Sequence, residues 1–178
     1  AFGYVDQPLL IGWLAALLHV LSGDTLVAIH VIPALAGALL VVVTGLMARE
    51  LGGGRFAQGL AALASLGAVV FLATGAIFSM DVLDEFWWAL GTFILIRLLT
   101  RDQPRLWLLF GLVAGLGLTT KLTILFFGLA LTLALLVTPE RRSLRTPWPW
   151  LGGALAGLFL LPYLLWNALN GWPTAEFW

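Results

Sequence analysis

Two long uncharged stretches constrain this chain more than any other feature. Residues 27–48 contain no Asp, Glu, Lys or Arg, and residues 56–78 contain none either. A helix needs about 20 predominantly apolar residues to cross the hydrocarbon core of a bilayer. The composition agrees, because 61% of the 178 residues are hydrophobic and only 10% are charged, whereas soluble domains carry about 25% charged residues. The sequence therefore predicts a polytopic membrane protein and excludes a disordered chain or a nucleic-acid-binding module.

Further apolar stretches fill most of the remaining chain. Residues 150–169 are again long enough to cross a bilayer, and shorter stretches cover residues 8–21, 86–99, 106–120 and 122–137. One helix over residues 106–137 would far exceed a core of roughly 30 Å, so we predict two spans that meet at Lys121. The first short stretch is predicted to be an interfacial helix, with a crossing helix as the alternative. The predicted fold is an all-α bundle of about six transmembrane helices plus one interfacial helix.

The arginines support this division into spans. With two spans meeting at Lys121, every arginine falls on the same predicted side of the membrane. The eight arginines are Arg49, Arg55, Arg97, Arg101, Arg105, Arg141, Arg142 and Arg145. Because positive residues concentrate in cytoplasmic loops, this side is predicted to be cytoplasmic.

The opposite, outward face combines carboxylates with the only lysine of the chain, Lys121. Its predicted carboxylates are Asp24, Asp81, Asp84, Glu85 and Glu176, joined by Asp6 if residues 8–21 do not cross. The two stretches that meet at Lys121 are short, so their vertex is expected below the outer interface. A charge at that depth must face protein or a water-filled cavity. We therefore expect an outward-facing cavity on which Asp6, Asp81 and Lys121 converge.

Three carboxylates open the helix that is predicted to begin near residue 82. Asp81, Asp84 and Glu85 are three and four residues apart, a spacing that puts them on one helical face. One interpretation is an acidic first turn that suits the helix dipole. The other is a cluster that binds a polar group or a cation, with Asp81 as the leading candidate because it comes just before the helix.

Lys121 also has two interpretations. A lysine near a helix end extends its ammonium group to the membrane interface without any further role. Alternatively, a lone cation on an acidic face, at the vertex of two short helices, suits the phosphate of a lipid-linked molecule. The second interpretation is favoured.

Polar residues in two other segments complete the candidates. Tyr4, Asp6 and Gln7 lie in a polar turn before Pro8, where Asp6 or Gln7 alternatively caps the following helix. Asn167 lies where the last span leaves the membrane, and it is less expected there than the neighbouring tryptophans.

Several patterns indicate packing or turns rather than chemistry. Gly111-xxx-Gly115 and Gly153-xxx-Gly157 permit close helix packing. Residues 52–54 are three glycines that form a turn, and without a preceding strand or a following Lys-Ser/Thr they are no phosphate-binding loop. The chain has no Cys, and its two histidines are isolated. No cofactor is therefore predicted, with a divalent metal beside the carboxylates as the open alternative.

Four segments, in chain order, resemble the motifs of a known family. Residues 3–9, Gly-Tyr-Val-Asp-Gln-Pro-Leu, resemble the Gly-Tyr-Phe-Asp-His-Pro-Pro-Leu type of motif in bacterial members of the protein O-mannosyltransferase superfamily. Residues 79–83, Ser-Met-Asp-Val-Leu, are similar to its Thr-Pro-Asp-Ala-Leu stretch. Residues 115–121 resemble its Gly-Leu-Gly-Leu-Leu-(Ser/Thr)-Lys motif, and residues 165–173 resemble its Trp-Asn-x-x-x-Gly-Trp exit.

This resemblance implies a GT-C glycosyltransferase related to the aminoarabinose transferases and to glycosyltransferase family 39. Such an enzyme moves a sugar from a polyprenyl-phosphate carrier to a lipid, glycan or protein acceptor, on the outward face of the bacterial inner membrane. Membrane lipid is then a further partner. Lys121 would contact the carrier phosphate, and Asp6 and Asp81 would be the catalytic candidates. The other substrate-binding candidates are Tyr4, Gln7, Asp84, Glu85 and Asn167.

The chain also departs from the family pattern. Gln7 replaces the usual His, which removes a protonatable group, and Leu9 replaces a second Pro. The family's Asp-Glu pair, which includes the presumed catalytic base, precedes the first of these motifs. Residues 1–178 are therefore interpreted as a single transmembrane glycosyltransferase-like domain, a fragment without the first helix and its acidic motif and inactive alone.

Two other classes of protein fit part of the pattern. A transporter or flippase for a lipid or small solute also has short helices and buried charges, but no inverted repeat is evident. A membrane scaffold without enzymatic activity leaves the acidic outward face unexplained.

Overall fold

The computed structural model describes residues 8–23 and 25–177, with only the backbone at position 177. Within these residues the regular structure is entirely helical, which confirms the all-α prediction. The α-helices are α1 Leu10–Ser22, α2 Leu26–Glu50, α3 Arg55–Gly67, α4 Val69–Gly75, α5 Met80–Thr100, α6 Leu106–Leu118, α7 Ile124–Val137, α8 Pro147–Leu169 and α9 Pro173–Phe177. A 3₁₀ helix, Pro139–Arg145, connects α7 to α8.

The helices form two compact units. The Lys121 unit combines the described residues of Ala1–Gly12 with those of Pro104–Trp178, and the Asp81 unit comprises the described residues of Trp13–Gln103. Each unit is described by itself below. The interpretation of residues 1–178 as a single domain stays a prediction.

Two helices in the described part of the chain, α2 and α8, are long and apolar enough to cross a membrane. Two bent pairs raise that number to four if each pair is a single span: α3 with α4, bent by 63°, and α7 with the 3₁₀ helix, bent by 107°. These apolar helices support an integral membrane protein. The number of six spans stays a prediction, because α6 and α7 are only 13 and 14 residues long.

The uncharged stretch 56–78 differs from the single straight helix expected for it. The helix breaks at Ala68, whose backbone is extended with φ −70° and ψ 115°. Downstream of the break, the Thr74 hydroxyl donates a hydrogen bond of 2.8 Å to the Glu85 carboxylate on α5. A contact between α4 and α5 thus contributes to the direction of α4. The hydropathy of residues 56–78 carries no information about such a contact.

In the Asp81 unit, α2 packs against both α3 and α5. The Glu50 carboxylate at the end of α2 accepts two hydrogen bonds from Arg101, from Nε at 2.9 Å and from Nη2 at 2.7 Å. Arg97 Nε lies 3.7 Å from the same carboxylate. The C-terminal ends of α2 and α5 are therefore adjacent, and these helices run in parallel. Arg49, Arg97 and Arg101 consequently lie at one end of the unit, as predicted.

In the Lys121 unit, α6 and α8 cross at glycines. A Cβ atom on Gly111 would overlap the backbone of Gly152, and a Cβ on Gly152 would overlap the carbonyl oxygen of Trp107. Further along the pair, a Cβ on Gly115 would lie 2.6 Å from the Phe159 ring. The prediction for Gly111 and Gly115 is confirmed. The prediction for Gly153 and Gly157 is wrong, because no atom of a neighbouring element lies within 4 Å of a Cβ on either.

These contacts also give the direction of the two helices. Gly111 meets the start of α8 and Gly115 meets its middle, so α6 and α8 run in parallel. The arginines before α6 and before α8 consequently lie at the same end of the Lys121 unit, and Lys121 lies at the opposite end of α6. This agrees with the predicted separation of Lys121 from the arginines, while the side of the membrane stays a prediction.

Candidate functional site

Lys121 lies in a tight turn between α6 and α7, and this confirms that residues 106–137 form two helices. The turn is closed by its own backbone, because the Lys121 N–H donates to the Gly117 carbonyl at 2.8 Å. The hydroxyls of Thr119 and Thr120 both donate to the Leu116 carbonyl, at 2.7 and 3.0 Å. Hydroxyls that bond back to the preceding turn satisfy carbonyls at a helix end. The residues before Lys121 therefore end α6 and fix the position of the lysine.

Other parts of the protein cover one side of the turn that carries Lys121. Thr120 is fully buried, and Lys121 itself is partly buried. The Leu10 N–H, at the start of α1, donates to the Thr119 carbonyl at 2.9 Å. Pro8 and Leu9 are buried just before it. The segment that follows the first motif is thus attached to the turn that carries Lys121.

Three predicted site residues lie outside the described part of the chain. Tyr4, Asp6 and Gln7 precede Pro8, the first described residue, and their proposed contacts stay predictions.

An apolar cavity of about 520 Å³ lies between α6, α7 and α8 in the Lys121 unit. Its wall includes Leu118 and Ile124, which flank the Lys121 turn, and it extends to Leu144 and Trp150 near the start of α8. Thr132 supplies the one hydroxyl side chain among the described residues that line it, and this hydroxyl already donates to the Gly128 carbonyl at 2.8 Å. The cavity therefore suits an apolar chain whose one end is near Lys121.

Three of the predicted outward carboxylates, Asp81, Asp84 and Glu85, lie in the first two turns of α5, whereas Asp24 lies outside the described residues. The Asp81 N–H donates to the Ser79 hydroxyl at 3.2 Å, so Ser79 caps the helix. Glu85 accepts a hydrogen bond from Thr74 and thereby joins α4 to α5. Asp81, Asp84 and Glu85 are all partly buried. Glu85 thus has a role in the fold. The prediction that Asp81 comes just before the helix is wrong, because α5 begins at Met80 and Asp81 lies in its first turn; the role of Asp81 in chemistry stays a prediction.

Asn167 is almost fully buried, with 1% of its surface exposed. Its amide nitrogen donates to the Tyr163 carbonyl at 3.1 Å, and its amide oxygen accepts from the Thr174 N–H at 3.3 Å. The Asn167 backbone carbonyl accepts from the Trp172 N–H at 2.8 Å. The structure gives this residue a role in shaping the turn after α8, and its role in binding substrate stays a prediction.

The predicted convergence of Asp6, Asp81 and Lys121 also stays a prediction. Asp6 lies outside the described residues, and Asp81 and Lys121 belong to different units. Among the described residues, no group of three or more His, Asp or Glu side chains has an arrangement able to hold a metal ion.

Two features of these sites were not predicted from the sequence. The bond from Leu10 to Thr119 joins backbone atoms, which no side-chain pattern reveals. The conformation of Trp172 was also missed, although it is a non-glycine residue with φ +61°. Its neighbours Gly171 and Pro173 are turn formers and are the available sequence signal.

No curated protein and no solved structure matches this chain. A family model described as dolichyl-phosphate-mannose-protein mannosyltransferase matches residues 6–166. The matched range includes Asp6, Asp81 and Lys121, and it supports a glycosyltransferase over the transporter and scaffold alternatives. The chain therefore belongs to the dolichyl-phosphate-mannose-protein mannosyltransferase family of membrane glycosyltransferases.

Proposed function

We propose that this chain binds a polyprenyl-phosphate sugar and contributes to the transfer of that sugar to an acceptor on the outward face of the membrane. The observation that carries the proposal is the Lys121 turn. It presents the only lysine of the chain between two short apolar helices, next to a cavity lined by apolar side chains. A cation beside an apolar groove matches a ligand that consists of a phosphate and a hydrocarbon chain.

The phosphate of the carrier is proposed to meet Lys121. A polyprenyl phosphate is anionic, and its charge increases when the bond to the sugar breaks. In a partly buried site the attraction between opposite charges is stronger than in water, so an ammonium group stabilises the leaving group without donating a proton. The isoprenoid chain extends from there along the cavity between α6, α7 and α8.

The carboxylates are proposed to act on the sugar and the acceptor. In the transfer, the acceptor oxygen forms a bond to the anomeric carbon while the bond from that carbon to the phosphate oxygen breaks. The acceptor proton passes to a carboxylate, which acts as a general base. Asp6 and Asp81 are the candidates in this chain, with Tyr4, Gln7, Asp84, Glu85 and Asn167 as proposed substrate-binding residues. The acceptor is a lipid, a glycan or a protein, and the proposed location is the bacterial inner membrane.

A transfer assay with the full-length protein that contains residues 1–178 tests this function, because these residues are expected to be inactive alone. Purified protein in detergent is given dolichyl-phosphate-mannose with lipid, glycan and peptide acceptors, and labelled product is measured. We expect product, and we expect Asp81→Asn to lower kcat/KM about 10- to 150-fold, as for the loss of a hydrogen bond to a charged group. The matched control is Asp102→Asn, because Asp102 is exposed in the loop after α5. Equal loss in both variants, or full activity of Asp81→Asn, contradicts the role of Asp81.

A further inference from the structure

The turn after α8 holds a tryptophan in an unusual backbone conformation. Gly171 has φ +79° and Trp172 has φ +61°, so two successive residues are left-handed. Glycine adopts this region without a penalty, but a bulky side chain there is uncommon and is strained. About half of the Trp172 surface, 51%, is exposed. Burial of the ring therefore does not explain the backbone conformation of Trp172.

Neighbouring buried groups hold this conformation in place. The Trp172 N–H and the Thr174 N–H both donate to Asn167, to its backbone carbonyl and to its side-chain oxygen. The Tyr163 hydroxyl donates to the Thr174 hydroxyl at 3.1 Å. Tyr163 and Asn167 are 5% and 1% exposed. Strained residues persist where surrounding structure determines them, and they concentrate at ligand-binding sites.

The position of the Trp172 turn can be compared with that of Lys121, because both belong to the Lys121 unit. Gly115 on α6 faces Phe159 on α8, and the two helices run in parallel. Beyond this contact α6 ends at Leu118, whereas α8 continues to Leu169. At a rise of about 1.5 Å per residue, α8 reaches roughly 10 Å further than α6. The Trp172 turn therefore lies at the Lys121 end of this unit and further along the direction of the helices.

We propose that the Trp172 ring stacks on the sugar of the lipid-linked donor whose phosphate is at Lys121. This proposal deepens the proposed function and rests on it. In such a donor the hydrocarbon, the phosphate and the sugar follow one another, in the same order as the cavity, Lys121 and Trp172. The C–H groups on one face of a pyranose carry partial positive charge, and the face of an indole ring carries negative charge. An exposed, rigidly held indole ring is suited to this contact.

A location in the aromatic belt of the membrane explains a tryptophan but not its conformation. Belt residues need only reach the interface, and any backbone conformation permits this. The two explanations predict opposite results for Trp172→Gly. Glycine relieves the left-handed strain, so this variant keeps the turn while it removes the ring. A belt role predicts a less stable protein with unchanged donor binding, and a stacking role predicts a protein at least as stable with weakened donor binding.

The test is a direct titration of the intact protein with dolichyl-phosphate-mannose and, separately, with dolichyl phosphate. We expect the wild type to bind the mannosylated lipid about tenfold more tightly, which corresponds to about 1.4 kcal/mol. In Trp172→Gly the two lipids should bind equally, the affinity for dolichyl phosphate should be unchanged, and the unfolding temperature should not fall. Trp172→Phe should restore part of the preference. The control is Trp13→Ala, because Trp13 has a similar exposure of 50% on α1.

Each result has a distinct meaning. A preference for the mannosylated lipid that persists in Trp172→Gly, or that is already absent in the wild type, overturns the stacking proposal alone. Failure of the wild type to bind either lipid overturns the proposed function and the stacking proposal together. A lower unfolding temperature of Trp172→Gly with unchanged binding of both lipids indicates the belt role and also overturns stacking.

Discussion

Asn167 shows how a single buried amide shapes the turn after α8. Its side chain donates to Tyr163 and accepts from Thr174, and 1% of the residue is exposed. Because the amide uses both its donor and its acceptor within the fold, the Trp-Asn-x-x-x-Gly-Trp pattern has an explanation in folding. The six residues between Asn167 and Thr174 bring the chain back to the same amide.

We expect Asn167→Ala to destabilise the protein by about 1–3 kcal/mol, because the Thr174 N–H and the Tyr163 carbonyl would lose a buried partner. The measurement is thermal unfolding of the intact protein in detergent. Asn170→Ala is a suitable control, since Asn170 is exposed and its side-chain amide donates to the Trp166 carbonyl. Equal stability of the two variants, together with a raised KM for the donor in Asn167→Ala alone, would instead favour the predicted substrate-binding role.

At the scale of elements, one pair of helices has a closely defined interface. The α6–α8 crossing places backbone against backbone at Gly111 and Gly152. Such small-residue contacts allow helices in membranes to approach closely. The glycines of α8 are consequently not interchangeable. A methyl group added at Gly152 would meet the backbone of α6, whereas one added at Gly153 or Gly157 would meet no atom of a neighbouring element.

Gly111→Ala and Gly152→Ala should each destabilise the protein by about 1–3 kcal/mol, because a methyl group would overlap backbone atoms that cannot move aside. Gly153→Ala and Gly157→Ala should be neutral or should stabilise the helix by up to about 1 kcal/mol, because a Cβ at these positions meets no neighbour within 4 Å. Unfolding curves of the four variants give the comparison. Destabilisation by Gly153→Ala but not by Gly152→Ala would contradict the described contact.

The sequence predicted this interface only in part, for a physical reason. Spacing of four residues identifies a small-residue face, but α8 carries glycine at positions 152, 153 and 157. Successive residues differ by about 100° around a helix, so a choice between Gly152 and Gly153 needs the partner helix. The break at Ala68 between α3 and α4 was missed for the same reason. By contrast, the division at Lys121 was predictable, because the length of the apolar run and one lysine determine it.

At the scale of the whole molecule, the distribution of charge predicts the topology. The Glu50–Arg101 contact and the parallel α6 and α8 place the arginines of each unit at one end of that unit. Positions 103 and 121 are therefore predicted to lie on opposite sides of the membrane. Since this chain has no Cys, Gln103→Cys and Lys121→Cys permit labelling from one side at a time with an impermeant maleimide. Labelling of both positions from the same side would contradict the two-span interpretation.

The residue types of the candidate site were easier to predict from the sequence than its geometry. Lys121 and Asp81 stand out from the sequence because charges are rare in apolar surroundings. The attachment of Leu10 to Thr119 and the left-handed Trp172 depend on backbone atoms and on contacts between segments distant in sequence. Neither hydropathy nor spacing reports on such contacts.

The central claim is that Lys121 holds the phosphate of a lipid-linked donor, and a binding cycle tests it most directly. The intact protein and its Lys121→Ala and Lys121→Arg variants are titrated with dolichyl phosphate and with dolichol, which lacks the phosphate. We expect Lys121→Ala to weaken dolichyl phosphate binding about 30- to 150-fold, equivalent to about 2–3 kcal/mol for a charge-assisted contact, and to leave dolichol binding unchanged. Lys121→Arg should recover only part of the loss, because its planar fork differs from a point charge. Equal binding of dolichyl phosphate by the wild type and Lys121→Ala would contradict the claim and leave Lys121 as a lysine that only reaches the membrane interface.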